Sequence, residues 1–146
     1  MTITSPSFRE NGSIPKKFTC QGENINPELR FGGAPEEAKS LALIMHDPDA
    51  PMPGGFTHWV MWNIEPLTTA IKENSAPPGA SEGKNGAGKT GYIGPCPPSG
   101  THRYFFKLYA LDAVLNLPAG ADKNSLEAEI NKHLLAEAEI IGLYQR

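Results

Sequence analysis

The chain has 146 residues, of which 15 are Gly and 14 are Pro, well above the roughly 12% of average usage. That excess argues against a helical bundle, because Gly weakens helix interiors and Pro breaks them, while a 39% hydrophobic fraction with 6 Phe, 4 Tyr and 2 Trp suffices for one globular domain over residues 1–146. With 13 basic against 16 acidic residues, a net charge of −3 and no basic run, a nucleic-acid partner bound by phosphate neutralisation is disfavoured.

The first residues, Met1 to Pro6, lack the basic and apolar regions of a signal peptide, which predicts a cytoplasmic protein. Up to residue 40 the chain is polar and punctuated by Pro and Gly, with short extended candidates at Ile3, Phe18 and Leu29 to Phe31. Leu41 to Met45 is apolar on both faces and reads as a buried strand. Thr57 to Ile64 reads the same way, with alternation placing His58, Val60, Trp62 and Ile64 on one face. A third strand runs from Arg103 to Leu111, where His102, Tyr104, Phe106 and Leu108 share a face. Near the C-terminus, Asn124 and Glu127 have capping spacing, and Leu126, Ile130 and Leu134 recur every four residues, which predicts a helix. Ile140 to Tyr144 then predicts a final strand. None of these apolar runs approaches the about 20 residues of a membrane span. Cys20 and Cys96 are too few and too far apart for a disulfide scaffold or a zinc pair, and read as two reduced thiols.

Between the second and third strands, residues 77–101 hold 7 Gly and 5 Pro. A loop of that length is usually functional or disordered, and Tyr92, Ile93 and the prolines favour an ordered, packed one. Gly83, Gly88, Lys89 and Thr90 match a phosphate-binding P-loop by letters alone. The context excludes it, since no apolar strand precedes the motif and prolines forbid a helix after it.

Asp47-Pro48-Asp49-Ala50-Pro51 forms a stiff turn after the first strand, and Ala50–Pro51 is the best candidate for a cis bond. His58 and His102 each stand at the start of a strong strand, where loops commonly present functional groups. Packed in one sheet or sandwich, Asp47, His58, His102 and Tyr104 would meet at one rim as a small polar pocket. His46 and His133 read as structural or solvated.

Asp47 to Pro51, His58-Trp59, Gly91 to Pro98 and Gly100 to Tyr104 together resemble the phosphatidylethanolamine-binding protein (PEBP) family, in its bacterial and archaeal, Raf-kinase-inhibitor-like branch. The resemblance implies a mainly β, Greek-key β-sandwich with one or two short helices. It also implies a non-enzymatic protein that binds phosphate groups of phospholipid heads or phosphorylated ligands such as phosphoethanolamine, and modulates a kinase or another signalling partner.

Carried over residue by residue, Asp47, His58 and His102 match the family's pocket carboxylate and histidines, and Tyr104 its hydroxyl donor. Cys96 falls where a backbone N–H faces the anion, and Pro51, Pro97 and Pro98 shape the walls. In this role Asp47 orients a histidine and favours its protonated form. No cofactor or metal is implied. Eukaryotic members add a C-terminal helix over the pocket where this chain ends at Arg146, so the mouth is expected to be more open or covered by a second copy in a homodimer. The competing reading is a metal-dependent or acid–base hydrolase using Asp47, His58 and His102.

Overall fold

The computed structural model describes residues 1–146. Its strands are β1 (Thr2–Thr4), β2 (Gly12–Ser13), β3 (Leu29–Gly32), β4 (Ser40–Asp47), β5 (Phe56–Ile64), β6 (Ala70–Ile71), β7 (Ser81–Glu82), β8 (His102–Leu111) and β9 (Leu134–Tyr144). One helix, α1 (Lys123–His133), and a 3₁₀ turn at Lys16–Phe18 complete the set. The strands form a small sheet, β1-β3-β6, and a large one, β2-β9-β8-β4-β5-β7. Together they make the expected β-sandwich.

The sandwich core lies between the sheets, where Leu41, Leu43 and Met45 of β4 meet Trp59, Met61, Phe106 and Leu108 from the neighbouring strands and Ile3 and Phe31 from the small sheet. The opposite face of β4 and β5 is also buried. There Ala42, Ile44, Val60 and Trp62 are covered by Leu115, Ala121, Leu126 and Ile130, the last two spaced one helical turn apart on α1. Coverage on both faces is why these two strands lack a polar alternation.

Simple alternation fails along β5 at two bulges. Leu43 pairs with Met61 and Leu41 with Ile64, while Met45 pairs with Trp59 and His46 with Thr57. Each mismatch inserts one extra residue into β5. Asn63 takes up the first with φ 55°, a left-handed conformation that Asn tolerates, and its side chain bonds both backbone groups of Leu115. His58 takes up the second. It therefore leaves the face of Val60 and Trp62 and packs against Tyr104 on the sandwich side.

Several sequence expectations are corrected. Phe18 closes the 3₁₀ turn instead of extending a strand. Asp122, not Asn124, caps α1, its carboxylate accepting from the Ser125 N–H while its own backbone remains extended. Leu134 belongs to β9, which starts directly after the helix because it pairs with β8 back to Leu111. No peptide bond is cis, that of Ala50–Pro51 included. Residues 77–101 contain β7 and a bridge between Lys84 and Thr90. Within that bridge the Asn85 carboxamide oxygen accepts from the Ala87 and Lys89 N–H groups, so the P-loop-like segment turns around its own side chain.

Cys20 and Cys96 are joined in a disulfide, with Cα atoms 5.4 Å apart, and are not free thiols. Spacing in sequence gave no hint of this, because the 3₁₀ turn carries Cys20 onto the loop that follows β7. Alongside the bridge, Cys20 N–H donates to the Pro95 carbonyl, Tyr92 Oη to that of Phe18 and Gly94 N–H to Asn24 Oδ1. A Cβ at Gly94 would lie 2.2 Å from the Phe18 oxygen, so only Gly permits this approach. The cross-link closes a separation of 76 residues, for which loss of unfolded-chain entropy predicts a stabilisation of about 4 kcal/mol. The Cys20→Ser, Cys96→Ser double variant should lose about that much in urea denaturation, and the reduced wild type should match it.

Candidate functional site

The adjoining ends of β4, β5 and β8 and the loops after β4 and β7 surround a cavity of about 340 Å³. Its walls are apolar, from Pro51, Met52, Phe56, Ile93, Pro97 and Pro98, and its polar groups are those of Asp47, His58, His102 and Tyr104. All seven sequence-predicted site residues line it. No Lys or Arg does.

Asp47 ends β4 with 2% of its surface exposed. Burying a carboxylate is costly unless its oxygens are bonded, and here both are. Oδ2 accepts from His102 Nδ1 at 2.7 Å and Oδ1 accepts the Asp49 N–H at 2.8 Å. The second contact shapes the turn and delivers Asp49 to Arg103. The Asp49 carboxylate takes two hydrogen bonds from that guanidinium and one from the Arg103 backbone, all at 2.9 Å. Arg103 holds the Asp49 carboxyl below its ordinary range. One loop thus grips two consecutive residues of the adjacent strand, a clamp the sequence reading missed although Asp49 and Arg103 each neighbour a predicted site residue. Gly55 lets the loop return, at φ 79° and with the Asp47 carbonyl only 2.3 Å from where a Cβ would sit.

His58, placed by its bulge, is 4% exposed. Its Nδ1 donates to the Ile93 carbonyl at 2.7 Å, while its own carbonyl accepts the Ile93 N–H at 3.0 Å. The ring stands edge-on to Phe56 and Tyr104. Burial pushes its pKa down from 6.5 to about 4, against the opposing pull of the Ile93 carbonyl and Asp47. It is neutral at pH 7, and the histidine that Asp47 orients is His102. With Nδ1 committed, the tautomer is fixed and Nε2 carries the lone pair.

Tyr104 is fully buried, stacked over His102 and edge-on to His58. Its hydroxyl has no partner in the protein, and burial raises its pKa, so it keeps its proton. Cys96, bridged to Cys20, also lines the cavity. The carbonyl of Pro97 on that wall accepts from Arg146 Nε at 2.8 Å.

His46 points to the other side of β4, between Thr57 Oγ1 and the Gly54 carbonyl, and His133 pairs with Asp112 on the surface. Both lie outside the cavity. A larger cleft of about 470 Å³ near Phe31 and Leu67 has none of these histidines. No group of three or more His, Cys, Asp or Glu residues is placed to hold a metal, and no helix is long and apolar enough to cross a membrane.

Residues 4–145 match the family model for phosphatidylethanolamine-binding protein. A UPF0098 protein of Methanothermobacter thermautotrophicus is 51% identical over all of this chain and 99% of its own length. Among solved structures, a putative PEBP homologue from Chlamydia trachomatis superposes with a TM-score of 0.95 at 42% identity, covering 99% of this chain and 97% of the other. Escherichia coli YbcL, a new member of the mammalian PEBP family, gives 0.94 at 30% identity, covering 99% and 98%.

The lowered pKa of His58 has a consequence for stability. Between pH 6.5 and 4 the unfolded chain takes up a proton that the native state refuses, so stability from this group is complete above pH 6.5 and falls as pH drops toward 4. The lowering from 6.5 to about 4 corresponds to about 3 kcal/mol. In His58→Phe this part of the pH dependence should vanish. Urea denaturation at pH 7 and pH 4 checks it, and an unchanged difference between the two pH values would refute the burial assignment.

Proposed function

The chain belongs to the phosphatidylethanolamine-binding protein family, and on that footing we propose that the cavity is a non-enzymatic binding site for phosphate-type anions, carried by phospholipid heads or phosphorylated ligands. The observation that carries this reading is the Tyr104 hydroxyl, fully buried and without a partner at the cavity floor. Native proteins rarely leave such a group unpaired, and a ligand oxygen is the acceptor it lacks. His102, when protonated against Asp47, supplies a second donor from Nε2. The Cys96 N–H, which bonds to no group of the protein, supplies a third.

The Asp47–His102 pair also has the form of a general base with its orienting carboxylate. A covalent mechanism built on it would need a side-chain nucleophile, and the lining contains no Ser or Thr, while the Cys96 thiol is consumed in the bridge; acid–base hydrolysis would take its nucleophile from water. The bridge bears on location as well. Such cross-links persist in oxidising compartments and in the interiors of hyperthermophiles, settings that suit it better than the reducing cytoplasm expected from the first residues, Met1 to Pro6.

Inorganic phosphate or phosphoethanolamine at millimolar concentration should shift the NMR signals of His58, His102 and the Cys96 amide. Tyr104→Phe, which keeps the ring packing, should weaken binding by roughly tenfold, the loss of one hydrogen bond to a charged acceptor. Unmoved imidazole signals in the wild type would sink the reading.

A further inference from the structure

The cavity is unusual for an anion site in holding no Lys or Arg and in sharing its polar end with a carboxylate. Its inward-facing groups therefore matter one by one. The Tyr104 O–H is a donor. His102 Nε2 is a donor only when the ring is protonated, because Nδ1 already donates to Asp47. His58 Nε2 is an acceptor, because Nδ1 donates to the Ile93 carbonyl and the ring makes no second hydrogen bond within the protein. The groups facing His58 are Asp47 at the end of β4, His46 on the far side of the same strand, His102 and Tyr104 on β8, and Phe56 on its own strand. Beyond them, Asp49 and Arg103 neutralise one another at the rim. None of these offers His58 Nε2 a proton.

A dianionic phosphoryl head has acceptors only. Placed here it would set one oxygen against the His58 lone pair and its charge near Asp47, in a cavity with apolar walls where such mismatches are costly. A monoanionic monoester head has what the site lacks: one P–O–H to donate and two oxygens to accept. We infer that the pocket selects phosphomonoesters in their singly protonated form, with the ligand's own P–O–H donated to His58 Nε2 and a phosphoryl oxygen accepting from Tyr104. This rests on the anion-binding reading above and narrows it. The phosphodiester of an intact phospholipid, which has no such proton, is the poorer ligand.

Calorimetric titration of the intact, disulfide-bonded protein with methyl phosphate and dimethyl phosphate separates the two heads. At pH 6, near the second pKa of a phosphomonoester at about 6, methyl phosphate should bind at least about tenfold more tightly, the cost of one unmet polar group. Its affinity should then fall by about tenfold per pH unit above that value as the monoanion disappears. Methylphosphonate and difluoromethylphosphonate locate the proton, since fluorine lowers the ligand's second pKa without touching the protein. The midpoint of the affinity loss should move down with it. In His58→Gln, whose amide can donate, the preference for monoester over diester should collapse toward one. Equal binding of the two methyl esters at pH 6, or one midpoint for both phosphonates, would overturn the inference while leaving anion binding intact. Failure of every phosphate compound to bind between pH 5 and 8 would overturn the anion reading itself and this inference with it.

Discussion

The buried carboxylate of Asp47 is the contact on which the site is built. A charged oxygen pair at the end of a strand that is apolar on both faces has no water to turn to, so each oxygen requires a donor from the fold. His102 provides one and the backbone of Asp49 the other. Meeting the first requirement joins β4 to the beginning of β8 through side chains. Meeting the second bends the chain into a turn whose next acidic residue falls on Arg103. The loop carrying Pro51 and Met52 is thereby fixed as a wall. Removing the carboxylate would leave His102 Nδ1 and the Asp49 N–H without their acceptor at the same time.

The opposite wall is held differently. The loop around Ile93 and Cys96 has no long strand of its own to anchor it, and it depends on the disulfide and on hydrogen bonds to the segment around Phe18 and Asn24. The prolines stiffen this loop and the tyrosine and glycine fasten it. Gly94 is needed because a protein carbonyl comes too close for any side chain. The glycine excess of the sequence thus serves contacts within the protein at this position, not the approach of a ligand backbone-first.

Much of this was legible from residue order. Strands β4, β5 and β8 stand where apolar runs and alternating faces predict them, and Asp47, His58, His102 and Tyr104 line one cavity because strand ends gather at a common rim. What escaped the sequence depended on pairing. The bulge that turns His58 toward Tyr104 is a difference of one residue between two strands, invisible until their register is known. The Cys20–Cys96 bond and the Asp49–Arg103 clamp are likewise contacts between distant segments. The charge state of His58 is set beyond the reach of residue order as well. Burial outweighs the attraction of Asp47, and burial is a property of the packed sheet pair.

Both pocket histidines spend Nδ1 on the protein, one on a carboxylate and the other on a carbonyl. That small difference divides their chemistry. The carboxylate of Asp47 fixes the His102 ring through Nδ1. A buried neutral carbonyl gives little support against desolvation, so His58 presents a lone pair. Tyr104 faces the same space with a donor whose proton is retained because burial disfavours the phenolate. On the proposed reading, a site of this kind recognises the pattern of protons on its ligand as much as its charge, and so needs no Lys or Arg in its lining.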